Sequence, residues 1–203
     1  MDKKDAVKII EDCAWLYNDN LLSNHLMFLY NENDSIKSLE AEFSKSRYLH
    51  LTGVVVDGSL SANVFFDRCV HNTLSLEDFE FRTNGTTELK LYALPQLMKI
   101  HKTCKMLGNY NYSDYVLSTE KILGNVHACL GLVKAAETKN IYVPNTSLKA
   151  DIRDITTEAH RVVAVLRKSF DEKHYCEVTY TAKGIDIKSL NLSAEILNKM
   201  KLS

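Results

Sequence analysis

Five β-rich segments follow one another in the second half of the chain, and the short breaks between them limit the folds that it can adopt. The segments are residues 115–124, 125–135, 140–144, 160–170 and 174–184. They are rich in β-branched and aromatic residues, as strands usually are. Parallel neighbours need crossover connections of roughly a dozen residues or more, and these breaks leave little room for them. The pattern therefore predicts a mostly antiparallel sheet.

The first half of the chain mixes helical and strand periodicity. Apolar residues at three- and four-residue spacing predict a helix over residues 2–17. A short apolar run predicts a strand over residues 24–31, and strict alternation predicts another over residues 35–43. Ser59 or Ser61 is expected to cap the helix that follows. We expect helices packed against the sheet, which is an α+β fold.

Three further helices are expected. Pro95 disfavours helical geometry at Leu94, so the next helix is predicted to start at Pro95. Residues 145–157 have helical character, and another short helix is predicted near the C-terminus. The whole chain, residues 1–203, is expected to form a single domain. Within it we expect an N-terminal helix, a core and a C-terminal helix, at residues 1–20, 24–182 and 186–203.

Charge and cysteine content exclude several classes of protein. The 25 basic residues nearly match the 26 acidic ones, for a net charge of -1, so any site for a polyanion must be local. Five cysteines without a CxxC pair argue against a disulfide framework or a zinc ribbon and fit a reducing cytosol. No signal peptide and no apolar run long enough to cross a bilayer is visible. We expect a cytoplasmic protein that does not associate with membranes.

Residues 47–53, RYLHLTG, form the first candidate for a chemical site. Interpreted as a strand that pairs with the preceding one in a hairpin, the segment places Tyr48, His50 and Thr52 on one face. An imidazole beside a hydroxyl makes this a candidate active-site strand, but a lone histidine on a half-buried strand is more often a hydrogen-bonded structural residue. Both interpretations remain open.

A second candidate lies at residues 142–154, where Asn145, Thr146 and Ser147 could cap a short helix, with Arg153 on that helix or just beyond it. Helix amides, hydroxyls and a guanidinium could bind an anion there, or Arg153 could simply join a surface charge cluster. Lys168 ends the next predicted strand and could either reach solvent or stabilise a phosphate. The sequence has no P-loop, dinucleotide fingerprint, nucleophile elbow or HExxH motif.

HLTG at residues 50–53, VPNTSLKADIR at residues 143–153 and the strand ending in Lys168 together resemble a phage-associated branch of the barnase, EndoU, colicin and RelE-like nucleases. The resemblance extends from about residue 24 to residue 182. It implies an antiparallel sheet with helices packed on it and RNA cleavage without a metal or cofactor. In that chemistry the ribose 2′-hydroxyl attacks the adjacent phosphate and leaves a cyclic phosphate.

The resemblance also implies catalytic roles. His50 would be the general acid or base, and Thr52 would orient it or contact the phosphate. Arg153 and Lys168 would stabilise the transition state.

Asn145 and Ser147 would hold the substrate backbone, and His127 is a second candidate for proton transfer. The implied function is that of an RNA endonuclease, a phage effector or toxin acting on tRNA or mRNA, with an antitoxin or a phage or host protein as a possible partner. Two alternatives are a catalytically inactive interaction module, in which His50, Arg153 and Lys168 do not converge, and a nucleotide-binding regulatory domain.

Overall fold

The structure, a computed structural model, describes residues 1–111, 117–136 and 140–202. These contain ten strands: β1 Asn24–Glu32, β2 Ser35–Glu42, β3 Val55–Val56, β4 Phe79–Glu80, β5 Met106–Tyr110, β6 Lys121–Gly124, β7 Cys129–Lys134, β8 Ile141–Leu148, β9 Thr156–Ser169 and β10 Glu177–Thr181. The helices of the same residues are α1 Lys3–Asn20, α2 Lys45–Thr52, α3 Ala62–Val70, α4 Thr86–Leu97, α5 Ile100–Thr103 and α6 Ala194–Asn198.

Eight strands form one sheet in the order β1-β2-β8-β7-β6-β5-β9-β10. β1 also pairs with β9, so the strands from β1 to β9 in this order form a closed ring of hydrogen-bonded neighbours. β3 and β4 form a separate two-stranded ribbon. Every pairing in the large sheet is antiparallel except β2 with β8. The α+β prediction is confirmed, and the sheet is mixed rather than purely antiparallel.

The two faces of the sheet are covered by different parts of the chain. Helices α1 to α4 pack into the main core, where aromatic rings such as Tyr17, Tyr48 and Phe66 contact one another. The C-terminal segment covers a second apolar cluster that includes Met27 and Leu166. Burying both faces keeps most of the apolar side chains of the sheet away from water.

Several predicted elements of the first half are confirmed. α1 begins after Asp2, whose carboxylate accepts a hydrogen bond from the Asp5 amide at 2.8 Å. β1 and β2 occupy the predicted positions and form a hairpin. Ser61 caps α3, with its hydroxyl 3.3 Å from the Val64 amide.

The prediction of a strand over residues 47–53 is wrong, because this segment lies in α2 and its C-terminal cap. The buried residues are Tyr48, Leu51 and Thr52, which recur at helical spacing and face the core. His50 points away from them and is exposed. Gly53 ends the helix with a φ of 73°, a left-handed conformation that glycine adopts without steric cost.

Two helix predictions also fail. α4 starts at Thr86 rather than Pro95, since the buried residues Leu91, Leu94 and Leu97 anchor the helix across the proline. Residues 145–148 continue strand β8, and only a 3-10 turn at Ile152–Asp154 is helical between β8 and β9. The helix predicted at the C-terminus is present as the short helix α6, and a 3-10 turn at Ile187–Ser189 precedes it.

The β-rich second half is confirmed. β6, β7, β8, β9 and β10 each lie in or overlap one of the five predicted segments. Residues 115 and 116 of the first segment lie outside the described residues.

Candidate active site

One cleft, with a volume of about 480 Å³, lies between the end of α2, the β3 region, α4 and β8. Its apolar lining comes from Leu49, Val54, Val55, Val56 and Leu117. Its polar lining residues are His50, Arg82, Lys90, Ser118, Asn145 and Thr146. No carboxylate is among the described residues that line it. The cleft therefore combines an apolar wall with three groups that can carry positive charge.

His50 reaches the cleft from the last turn of α2. Partial burial lowers the pKa of its imidazole, and the positive charges of Arg47, Lys90 and Arg82 lower it further. The imidazole is therefore mostly neutral at pH 7, and a neutral imidazole can accept a proton.

Lys90 approaches the same cleft from α4. Its ammonium donates a hydrogen bond to the main-chain carbonyl of His50, at 2.9 Å. Burial lowers the pKa of Lys90 to about 8, and Arg82 contributes to the shift. At neutral pH this lysine is a cation that can release its proton more easily than an ordinary lysine.

Gly53 allows the Lys90 side chain to lie where it does. A Cβ on Gly53 would come within 2.5 Å of Lys90 Cδ, a separation that real Cβ atoms do not tolerate. The glycine thus accommodates both the positive φ and the Lys90 side chain, which the methyl group of an alanine would displace.

Thr87 ties the walls of the cleft together. Its buried hydroxyl donates a hydrogen bond to the Gly53 carbonyl at 2.7 Å and accepts one from the Arg82 amide at 2.9 Å. Because the hydroxyl connects the end of α2 to the segment before α4, it fixes where the Arg82 side chain begins. The exposed Arg82 guanidinium forms no ion pair with any carboxylate of the described residues.

Asn145 enters from β8. Its side-chain amide donates to the Ser118 carbonyl at 2.7 Å and lies 3.5 Å from the Thr119 hydroxyl. Of the seven residues that the sequence suggested for a site, Asn145 and His50 are the two that line this cleft.

Thr52 and Ser147 have structural contacts in the interior. The Thr52 hydroxyl donates to the Leu49 carbonyl at 2.8 Å, and the residue is fully buried. The Ser147 hydroxyl donates to the Leu51 carbonyl at 2.5 Å, which joins β8 to α2. Neither residue lines the cleft.

The remaining candidates lie elsewhere. Arg153 is exposed and forms a bidentate pair with Asp151, with Nη2 and Oδ2 2.5 Å apart. Lys168 lines a separate cleft of about 280 Å³, and its ammonium lies 4.9 Å from the centre of the Tyr175 ring. His127 is exposed on the turn between β6 and β7. The structure does not bring Arg153 or Lys168 into the cleft with His50.

Arg82 and Lys90 carry no motif that marks them in the sequence. The available signal is helical phase. If α4 begins at Thr86, Lys90 follows an exposed leucine and precedes a buried one, Leu91, so it lies at the border of the buried face. If the helix is predicted to start at Pro95, Lys90 lies outside every predicted helix and strand. Its position at the border of the buried face then cannot be recognised from the sequence.

Comparison with known proteins identifies a nuclease family. The family model described as phage-Barnase-EndoU-ColicinE5/D-RelE like nuclease4 matches residues 9–184. No curated protein and no solved structure matches the chain. Among the described residues, no group of three or more histidine, cysteine, aspartate or glutamate side chains is arranged to hold a metal ion. In the same residues, no helix has both the length and the apolar character needed to cross a bilayer.

Proposed function

The chain belongs to the family of phage-Barnase-EndoU-ColicinE5/D-RelE like nucleases, and from this membership we propose that it is a metal-independent RNA endonuclease. One observation carries the proposal: His50, Arg82 and Lys90 line a single cleft that has no carboxylate among its described lining residues. A nuclease family implies a nucleic-acid substrate. A cleft of this charge suits a phosphodiester, although the net charge of the whole chain is only -1.

His50 is proposed as the general base. Its lowered pKa keeps the imidazole neutral near pH 7. In that state it can take the proton from a ribose 2′-hydroxyl while the oxygen attacks the adjacent phosphorus. RNA has this hydroxyl and DNA lacks it, so the same chemistry restricts the substrate to RNA.

Lys90 is proposed as the general acid, and Arg82 as the group that neutralises the non-bridging oxygens. As the bond from phosphorus to the 5′-oxygen breaks, the Lys90 ammonium gives its proton to that oxygen. The products are a 2′,3′-cyclic phosphate and a 5′-hydroxyl. A pKa of about 8 makes Lys90 a better proton donor than an ordinary lysine, and the Arg82 guanidinium can pair with phosphate oxygens in a bidentate manner.

Arg82 and Lys90 supply the charge stabilisation for which many nucleases use a divalent metal. With this activity, we propose that the protein is a phage effector or toxin that acts on tRNA or mRNA.

An inactive interaction module is the second candidate, and one observation favours it. It predicts that His50, Arg153 and Lys168 do not share a cleft, and they do not. Arg82 and Lys90 provide the cations beside His50 instead, which is why the nuclease remains the better-supported function.

The deciding experiment incubates the wild type and His50→Ala with total tRNA and a structured mRNA in excess chelator and then identifies the product ends. We expect the wild type to leave cyclic phosphate and 5′-hydroxyl ends and His50→Ala to lose at least a hundredfold in rate. His71→Ala is the matched control, because that exposed histidine lies outside the cleft with Nδ1 2.6 Å from the Asp67 carbonyl. A strict need for a divalent metal, or equal cleavage by wild type and His50→Ala, would exclude this mechanism.

A further inference from the structure

Asn145 occupies a β-bulge at the wall of the cleft. Along the pairing of β7 with β8, Thr146 is opposite Gly131 and Pro144 is opposite Leu132. One residue of β8, Asn145, therefore lies between two residues whose partners are adjacent on β7, and Asn145 has no partner of its own. A bulge changes the direction in which a side chain projects. It explains how two consecutive residues of one strand, Asn145 and Thr146, both line the cleft.

The amide of Asn145 has a defined orientation. A carbonyl oxygen only accepts hydrogen bonds, so the atom of Asn145 that lies 2.7 Å from the Ser118 carbonyl must be the nitrogen. The Thr119 hydroxyl, 3.5 Å from the same nitrogen, is on that side too. The Asn145 carbonyl oxygen is left as an acceptor, and no group of the described residues donates to it.

The rest of the cleft suits a flat apolar ring. Val54, Val55 and Val56 line it together with Leu117. The volume of about 480 Å³ lies within the roughly 300–1,000 Å³ of typical small-ligand sites. The cleft thus has an apolar surface for a base, an amide at its border and cations for a phosphate.

Building on the proposed nuclease function, we propose that Asn145 is a specificity-determining residue that selects a nucleobase carrying an exocyclic amino group. The carbonyl oxygen of Asn145 accepts a hydrogen bond from that amino group while the ring packs against the valines. Cytosine and adenine present such a group. Uracil and hypoxanthine carry a carbonyl oxygen at the corresponding position, which the Asn145 oxygen repels. The amide cannot turn to suit them without losing its bond to the Ser118 carbonyl.

The test compares pairs of bases in which an exocyclic amino group is replaced by a carbonyl oxygen and the adjacent ring nitrogen gains a hydrogen. Binding of cytidine, uridine, adenosine and inosine monophosphates, as both 3′ and 5′ isomers, is measured by titration calorimetry with wild type, Asn145→Ala and Asn109→Ala. Asn109 is a matched control, because it is an exposed strand asparagine that lies outside the cleft and accepts from Lys121. The same proteins then cleave oligonucleotides that contain a single cytidine or a single uridine.

We expect the wild type and Asn109→Ala to bind the amino-bearing nucleotides about five- to tenfold more tightly in at least one isomer series, as one hydrogen bond predicts. Asn145→Ala should bind all four within twofold of one another. Equal binding by the wild type, or a preference for uridine and inosine, overturns the inference even if RNA is cleaved. Base-dependent binding without cleavage upholds the inference for Asn145 and rejects the nuclease instead. If Asn145→Ala does not fold, the wild-type comparison alone decides.

Discussion

The Lys90 ammonium donates a hydrogen bond to the main-chain carbonyl of His50, with 2.9 Å between nitrogen and oxygen. This bond joins α4 to the last turn of α2 and brings two titratable side chains into one cleft. The positive charge of Lys90 helps to lower the pKa of His50, while the charge of Arg82 lowers both. Binding of a phosphate would act in the opposite direction on each group.

The pH dependence of catalysis should report this pair. With neutral His50 as base and protonated Lys90 as acid, kcat/KM should rise through the His50 pKa, which lies below its ordinary value of 6.5, and fall through the Lys90 pKa of about 8. Arg82→Gln removes a positive neighbour of both groups, so both pKa values rise and both limbs should move to higher pH. The measurement is a pH profile on a fluorogenic oligonucleotide.

Arg47→Gln provides the control for that shift. Arg47 lowers the pKa of His50 but is not among the causes of the Lys90 shift. Only the limb at low pH, which reports the His50 pKa, should move in this variant. Unchanged limbs in Arg82→Gln would mean that other groups titrate.

Lys90→Met should lower kcat about 100- to 1,000-fold on RNA, the usual loss when one preorganised transition-state group is removed. The loss should be much smaller on a nucleoside 3′-(4-nitrophenyl phosphate), because nitrophenolate leaves without a proton. Comparison of single-turnover rates on the two substrates measures the acid role. An equal loss on both substrates would show that Lys90 supplies charge alone.

Gly53→Ala should impair catalysis more than stability. The positive φ costs a non-glycine residue about 1–3 kcal/mol, and the new methyl group would collide with the Lys90 side chain. Gly184→Ala is the matched control, since it has a φ of 81° and open space around it. Chemical denaturation should show similar losses for the two variants, with activity reduced only in Gly53→Ala. Full activity in Gly53→Ala would contradict the proposed position of Lys90.

Thr87→Val and Thr146→Val should have different effects on the free energy of unfolding. Thr87→Val removes a buried hydroxyl that satisfies the Gly53 carbonyl and the Arg82 amide, at a cost of about 1–3 kcal/mol. The buried Thr146 hydroxyl has no hydrogen-bond partner among the described residues, so its replacement should be neutral or stabilise by about 1 kcal/mol. Urea unfolding measures both. A large loss in Thr146→Val would indicate that its hydroxyl has a partner in the folded protein.

Arg153→Ala and Lys168→Ala decide between the sequence resemblance and the cleft. The resemblance implies transition-state roles for both residues, whereas the geometry places them outside the cleft that contains His50. We expect cleavage rates within about threefold of wild type, since surface charges act weakly through solvent. A loss above a hundredfold in either variant would place the active site outside the cleft that contains His50.

The sequence by itself determined the α+β class, because strand and helix periodicity are local properties that burial then reinforces. α1, β1, β2 and the capped helix α3 are of this kind. The periodicity around His50 is ambiguous, since apolar residues at 49 and 51 satisfy strand alternation while Tyr48, Leu51 and Thr52 satisfy the helical period. Packing of α2 against α3 and β8 decides in favour of the helix.

The sequence alone also indicated the nuclease family, and the match of the family model to residues 9–184 confirms that membership. The composition of the cleft came only from tertiary structure. His50 and Asn145 are far along the chain from Arg82 and Lys90, and the four residues belong to no shared motif. Three features bring them into one cleft: the hydrogen bond from the Thr87 hydroxyl to the Gly53 carbonyl, the room that Gly53 leaves for the Lys90 side chain, and the bulge at Asn145 in β8. Such contacts exist only once the chain has folded, because each joins segments whose local periodicity carries no information about the other.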